Sequence, residues 1–312
     1  MKNVLFATTA LVAFGGAAFA GGHASISDNL TLKGGAEIGL YMTDTDGAAA
    51  PADGTVRFHH DMDMDITFKR TNDAGLTFGA DIDLDEVSGG ISNNAGPHTV
   101  FISGGFGTLT MGDTDGAYDK NLQEIAVGST ITDDPEHAGY DGNSGLDGLN
   151  DGQVARYDYD FGAANFSISG ELDDAGTGDS VLGVGVSGDF GGFGVGVGYQ
   201  ASGDNSIVGA TLDGSFAGLG FVVNVASAEL DLGGGATDDR THYGLSLEYT
   251  TGALTVGANY AVQDSDVLET EGFGAWVTYD LGGGASVVAG LAQSEAASVE
   301  TTQASFGLSL SF

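Results

Sequence analysis

The strongest constraint on the fold of this chain is a strict alternation of apolar and polar residues, first seen at residues 56–69. There the even positions are mostly valine, phenylalanine, methionine and isoleucine, and every odd position is polar. Side chains alternate between the two faces of a strand, so this segment predicts a strand with apolar surroundings on one side and water on the other. The pattern returns at residues 76–85 and continues to the last residue. Such a chain predicts either a soluble sandwich or a membrane barrel.

The number and spacing of these segments favour the barrel. About sixteen strand-like segments are predicted, at 29–42, 54–70, 75–87, 97–104, 107–113, 153–161, 163–173, 179–190, 193–201, 205–216, 218–229, 240–250, 252–264, 270–281, 284–294 and 300–312. Short glycine-rich turns alternate with longer polar connections, the longest at 114–152. Short periplasmic turns and longer outer loops are typical of outer-membrane barrels. The predicted fold is therefore all-β, a transmembrane antiparallel β-barrel.

The start of the chain predicts export from the cytoplasm. Residues 1–20 carry Lys2, an apolar run and the small-residue ending Ala18-Phe19-Ala20, which together indicate a secretory signal peptide. Residues 21–312 then form a single barrel domain. Later segments lack the ~18 consecutive apolar residues of a transmembrane helix. The chain has no cysteine, so neither disulfides nor thiol chemistry contribute.

Composition excludes one class of partner. The formal net charge is -36, with 44 acidic residues against 8 lysines and arginines. Binding to nucleic acid requires clustered lysine and arginine, so no nucleic-acid partner is expected. The acidic residues alternate with apolar ones instead of forming one block, which argues against a disordered acidic tail.

Aromatic residues and the last strand support a membrane location. Rings lie near the short turns at Phe68, Phe190, Phe216, Tyr249 and Tyr279, and near the opposite strand ends at Tyr41, Tyr199, Tyr243, Tyr260 and Phe273. Two aromatic belts are typical of the two membrane interfaces. The final strand ends on Phe312 and is expected to pair with the first strand, because lipid cannot satisfy an open sheet edge. This ending resembles the terminal-Phe strand that serves as the assembly signal of Gram-negative outer-membrane proteins.

Two short segments carry a more specific resemblance. Gly104-Gly105-Phe106-Gly107 leads into residues 109–113, and the penultimate hairpin reads Tyr279-Asp280-Leu281-Gly282-Gly283-Gly284. With the predicted signal peptide and the terminal Phe312, they make the chain similar to alphaproteobacterial (Rhodobacter-type) general porins. The resemblance implies a homotrimer of sixteen-stranded barrels in the outer membrane of a Gram-negative bacterium. It also implies contact with lipid bilayer, lipopolysaccharide and the outer-membrane assembly machinery.

The resemblance further implies that the third outer loop, 114–152, folds inward to narrow the pore. Acidic residues predicted at or beside this constriction are Asp113, Asp115, Asp119, Glu124, Asp133, Asp134 and Glu136. In such porins an acidic loop faces basic residues on the barrel wall. The candidates here are Lys33, Arg57 and Arg156, all on the polar parity of their strands. Porins of this family usually have a denser basic cluster, which points to an acidic lumen in this chain.

An acidic hairpin strengthens that expectation. With a turn centred on Asp73, antiparallel pairing would place Asp65, Asp63 and Asp61 opposite Asp81, Asp83 and Asp85 respectively, all facing the lumen. Like charges in such positions repel unless cations offset them. The predicted function is therefore a water-filled channel for passive diffusion of ions and small hydrophilic solutes, with a preference for cations.

Calcium is a candidate ligand. Asp113, Asp115 and Asp119 resemble the opening of a calcium loop but lack its full spacing and closing glutamate. Asp-Gly is also ordinary turn chemistry, and no cofactor is required. The histidines lie in no recognised catalytic spacing, so no enzyme activity is expected. The alternatives are a substrate-selective channel, for which Tyr41 and Trp276 have pore-facing parity, and an exported β-sandwich adhesin or lectin.

Overall fold

The computed structural model describes residues 29–46, 54–84, 98–125, 145–150, 152–173, 176 and 178–312. The predicted signal peptide at 1–20 lies outside these residues. So do four of the predicted lumen residues, namely Asp85, Asp133, Asp134 and Glu136.

Sixteen strands and one short helix make up the described structure. The first strands are β1 (Leu30–Thr45), β2 (Arg57–Thr71), β3 (Thr77–Asp83), β4 (His98–Gly104) and β5 (Gly107–Asp113), followed by helix α1 (Ala117–Asn121). Next come β6 (Gln153–Asp160), β7 (Ala164–Glu171), β8 (Val181–Phe190), β9 (Phe193–Ser202), β10 (Asn205–Phe216) and β11 (Leu219–Gly233). The last strands are β12 (Ala236–Thr251), β13 (Leu254–Ser265), β14 (Thr270–Gly282), β15 (Ala285–Ala296) and β16 (Val299–Ser311). Among the described residues, no helix has the length and apolarity needed to cross a bilayer.

Each strand pairs antiparallel with its neighbours in sequence, and β16 pairs with β1 to close the barrel. This confirms the predicted barrel, strand number and closure, and it excludes the β-sandwich alternative. Phe312 continues the closing pair, because its backbone N–H donates to Gly34 O and its carbonyl accepts from Gly34 N at 2.9 and 2.8 Å. The Phe312 ring lies where a side chain at Gly34 would stand.

Alternation of residues sorts the barrel into an apolar exterior and a polar interior. Large exposed apolar side chains follow the outward parity of the strands, for example Val195 and Val197 on β9 and Leu245 and Leu247 on β12. The predicted aromatic residues are exposed near both strand ends, with the exception of Tyr41. Tyr41 shares its parity with Glu37, whose Oε1 accepts a hydrogen bond from Ser309, and therefore faces the lumen.

The outer loops differ from expectation in the second half of the chain. A loop was predicted at 230–239, but β11 continues to Gly233 and β12 begins at Ala236. Only Gly234 and Gly235 separate them, both with positive φ, which glycine adopts without steric cost. Two residues also connect β9 to β10 and β15 to β16. Connections longer than ten residues are confined to the chain before β6.

The predicted pairing in the β2–β3 hairpin is wrong by two residues. Asp65 lies opposite Asp83, and Thr67, not Asp65, lies opposite Asp81. The turn is centred on Ala74 because the Asn72 side chain accepts hydrogen bonds from two backbone N–H groups, those of Ala74 and Leu76. This side-chain closure makes a five-residue loop where a turn centred on Asp73 was expected.

Candidate functional site

One side of the lumen carries a cluster of carboxylates on β1, β2 and β3. We call this set the acidic wall; it consists of Glu37, Asp61, Asp63, Asp65, Asp81 and Asp83. Glu37 lies directly opposite Asp61, and Asp65 lies between Lys33 on β1 and Asp83 on β3. The aspartates were expected from sequence. Glu37 was missed, although its parity within β1 could have identified it.

Three members of the acidic wall lie close enough to share a cation. Glu37, Asp61 and Asp63 each offer one carboxylate oxygen, and these three oxygens lie within 4.8 Å of one another. Oxygen ligands of this kind suit hard cations such as Ca²⁺. The calcium residues named from sequence are arranged differently, because Asp113 has the outward parity of Met111 and Asp119 belongs to α1 inside the barrel.

The basic residues named from sequence do not act as one cluster. Lys33 and Arg57 lie beside the acidic wall, and the guanidinium carbon of Arg57 stands 5.4 Å from the Tyr41 ring centroid. Arg240 on β12 also has lumen-facing parity, since it alternates with exposed outward residues. It was missed because the segment before it was read as a loop.

Arg156 on β6 anchors the inner loop and is almost fully buried. Its Nε donates to both carboxylate oxygens of Asp158, at 3.0 and 3.2 Å. Its Nη1 donates to Thr114 Oγ1 at 3.1 Å and to the backbone oxygen of Asp115. Asp158 on the same strand thus neutralises the charge of Arg156. The Arg156 side chain also fixes the point where the chain leaves β5.

Beyond Arg156 the inner loop runs across a part of the barrel wall where lumen-facing glycines leave the strand backbone uncovered by side chains. Side chains at the lumen-facing glycines would collide with α1 and the residues after it, so these glycines form what we call the glycine seat. The seat consists of Gly185, Gly196, Gly198, Gly209 and Gly244. A Cβ at Gly198 would stand 2.9 Å from the Tyr118 ring, and one at Gly244 would stand 2.7 Å from Ile125. Tyr118 and Ile125 are fully buried as a result.

Polar contacts hold the loop along this path. Ser169 Oγ accepts from Ala117 N at 2.8 Å, at the start of α1. Further along, Gln123 donates its backbone N–H to Thr211 Oγ1 at 3.3 Å and accepts at its carbonyl from Asn224 Nδ2 at 3.0 Å. These contacts reach β7, β10 and β11, so the outgoing limb is fixed across a third of the barrel wall.

The returning limb of the loop is held by one buried carboxylate. Glu171 at the end of β7 accepts hydrogen bonds from the backbone N–H groups of Gly148, Asn150 and Gly152 at 2.9–3.0 Å. Asp147 ties the two limbs together, because it accepts from Gly116 N at 2.8 Å and from the side-chain amide of Gln200. Neither Glu171 nor Gln200 was predicted, since both lie on ordinary strand positions.

Burial changes the proton affinity of the loop carboxylates. Desolvation, with repulsion from Asp115, Glu124 and Asp147, raises the pKa of Asp119 to about 8. Burial also raises the pKa of Asp147 to about 6, although the hydrogen bonds from Gly116 and Gln200 oppose the shift. At neutral pH the loop therefore carries less negative charge than its composition indicates.

Trp276 has lumen-facing parity in a strand whose register with β13 is unbroken, so no bulge displaces it. Its side chain is buried and covers Gly257 on the neighbouring strand. Tyr41 belongs to β1, three strands away around the barrel. These two residues do not form the aromatic ladder that a substrate-selective channel would present.

Comparisons with known proteins agree with this architecture. The family model for Gram-negative porins matches residues 7–297. A porin of Rhodobacter capsulatus is 31% identical over 261 residues, which cover 74% of this chain and 85% of that protein. A porin structure refined at 1.8 Å superposes with a TM-score of 0.74 at 26% identity, covering 91% of this chain and 100% of that one. A five-fold substituted variant of Rh. blastica porin, at 17% identity and a TM-score of 0.68 over 91% of this chain and 100% of that one, shares the fold. The chain belongs to the Gram-negative porin family and forms a channel of the outer membrane.

Proposed function

We propose that this porin is a cation-preferring diffusion channel for ions and small hydrophilic solutes. The observation that carries the proposal is the acidic wall, whose six carboxylates face the lumen with only Lys33, Arg57 and Lys69 on the lumen parity of the same three strands. Arg156, the third basic residue expected there, is occupied by Asp158 and by the base of the inner loop.

Electrostatics gives the wall a direct effect on permeating ions. Two carboxylates about 5 Å apart repel by on the order of 3 kcal/mol at an effective dielectric constant of about 20. Mobile cations in the lumen relieve this repulsion, and screening extends over about 8 Å at physiological salt. A passing cation therefore meets a favourable potential and an anion an unfavourable one.

Reversal potentials in a KCl gradient across planar bilayers test this proposal. The wild-type channel should prefer K⁺, and Asp61→Asn combined with Asp63→Asn should move the reversal potential towards zero. Asp73→Asn removes the same kind of charge at the exposed β2–β3 turn and should have no such effect. A wild-type preference for chloride would overturn the proposal.

We also propose that the inner loop forms the constriction of a homotrimer. The loop residues assigned to this role are Asp115, Asp119 and Glu124, together with Asp133, Asp134 and Glu136. The prediction that Asp113 faces the lumen is wrong, because Asp113 ends β5 on the outward parity of Met111. Support comes from the buried path of residues 116–125 along the inner wall. Three equal closing steps in single-molecule conductance traces would demonstrate three pores per particle, and single-step closure would contradict the trimer.

Calcium binding is proposed as a modulation of the same lumen. The Glu37, Asp61 and Asp63 carboxylates offer a more compact oxygen set than Asp113, Asp115 and Asp119. Millimolar Ca²⁺ should reduce the K⁺ preference of the wild-type channel. It should leave the selectivity of the Asp61→Asn, Asp63→Asn variant unchanged, and equal effects on both proteins would contradict calcium binding at this set.

A further inference from the structure

A cavity of about 70 Å³ opens where the returning limb of the inner loop meets the barrel wall. Its lining consists of Gly145, Leu146, Ile207, Ala228, Leu230, Arg240 and His242, and we call it the joint pocket. One buried water needs about 10–15 Å³, so the joint pocket accommodates about five water-sized groups. This is the size of a small organic molecule.

The joint pocket has an apolar side and a basic side. Leu146, Ile207 and Ala228 are each at most 6% exposed and form the apolar side together with Leu230. Arg240 and His242, neighbours on the lumen face of β12, form the basic side. An apolar surface with a few convergent polar groups is the usual composition of a small-molecule site.

The guanidinium group of Arg240 has one edge engaged and one edge available. Its Nε donates to Asp238 at 2.6 Å, and Asp238 also accepts from Ser265 at 2.7 Å. The terminal nitrogens Nη1 and Nη2 of Arg240 form no hydrogen bond within the described part of the chain, and the side chain keeps 32% of its exposure. Two parallel N–H donors of this kind match the two oxygens of a carboxylate.

We propose that the joint pocket binds a small carboxylate with a short apolar tail, of the size of butyrate. The carboxylate pairs with Nη1 and Nη2 of Arg240, and the tail lies against Leu146, Ile207 and Leu230. Because Leu146 belongs to the inner loop, the bound molecule contacts loop and wall at once. The pocket is thus a local anion site in a lumen that otherwise favours cations.

Saturation-transfer NMR on the full-length mature protein in detergent tests the proposal with butyrate as probe. Butyrate should show saturable transfer with half-saturation on the order of 1–10 mM, an affinity suited to a six-atom ligand. Butyramide, which has the same tail without the charge, should show at least about tenfold weaker binding. Equal transfer to the two probes would mean partition into detergent or apolar surface, and would overturn the proposal.

Two variants locate the site. Arg240→Gln should weaken butyrate binding at least about tenfold, whereas Arg57→Gln removes the same charge six strands away and should leave it unchanged. Leu230→Trp should block binding by filling the cavity while keeping the Arg240–Asp238 pair. Heat-modifiable migration on gels shows that each variant is folded. Butyrate binding that survives in folded Arg240→Gln or Leu230→Trp contradicts the assignment.

Discussion

The raised pKa of Asp119 predicts that docking of the inner loop against the barrel wall depends on pH. Asp119 has a pKa of about 8 in the docked loop, against 3.8 for an unperturbed aspartate. Between these values the docked loop binds a proton that the undocked loop does not. Docking is therefore strongest at acid pH and weakens as the pH rises towards 8, where Asp119 ionises in both states.

Asp119→Asn should remove most of this pH dependence. An amide has nearly the same shape and no charge, so the variant loop should remain docked at pH 8–9. Hydrogen exchange of residues 114–125, corrected for intrinsic rates, should rise from pH 5 to pH 8 in the wild type and much less in the variant. Asp73→Asn serves as control and should behave as wild type; identical profiles in all three proteins would contradict the role of Asp119.

Glu171→Gln should loosen the returning limb. The substituted amide keeps one acceptor oxygen for three backbone N–H donors, so at least one donor loses its partner at a cost of about 1–3 kcal/mol. Hydrogen exchange of residues 145–152 should accelerate by about 5- to 150-fold. Glu229→Gln, an exposed change on the outward parity of β11, supplies the control. Unchanged exchange in Glu171→Gln would show that Glu171 does not hold the limb.

At the scale of elements, the glycine seat predicts that the position of the inner loop depends on the size of the residues beneath it. Gly198→Val should displace α1, because its side chain would overlap the Tyr118 ring and such overpacking costs about 1–3 kcal/mol. Single-channel conductance should increase as the loop leaves the wall. Gly170→Val, where a Cβ meets Leu182 and the Val181 backbone oxygen at ordinary distances of 3.5 and 3.8 Å, should not change conductance. Equal conductance in both variants would contradict the role of the glycine seat in holding the inner loop.

The elements themselves were largely predictable, whereas their connections and contacts were not. Period-two alternation revealed all sixteen strands because one face meets lipid and the other water. Alternation does not reveal a turn centre, so the closure by Asn72 shifted the β2–β3 register by two residues. The glycine seat was not predictable either, because the sequence alone does not show whether Gly185 or Gly198 faces lipid, a turn or a loop.

At the scale of the whole molecule, substitution of Phe312 distinguishes closure of the barrel from its assembly in the outer membrane. Phe312→Ser keeps both backbone hydrogen bonds to Gly34, so folding into detergent should change little. If the terminal ring is the assembly signal, the yield of heat-modifiable protein in cells should fall severalfold. Phe306→Ser, on the same outward face of β16, is the matched control for loss of an exposed ring. Parallel losses in cells and in detergent would assign Phe312 to stability alone.

The glycine seat also limits how porins of this kind can diversify. A new inner loop grafted onto this barrel would meet a groove shaped for Tyr118, Leu122 and Ile125. Conversely, a larger residue at one of the seat glycines would remove the surface against which the present loop packs. The inner loop and the seat glycines are distant stretches of chain that fit each other, and under the proposed constriction role they must change together in natural variants and be transplanted together in engineered ones.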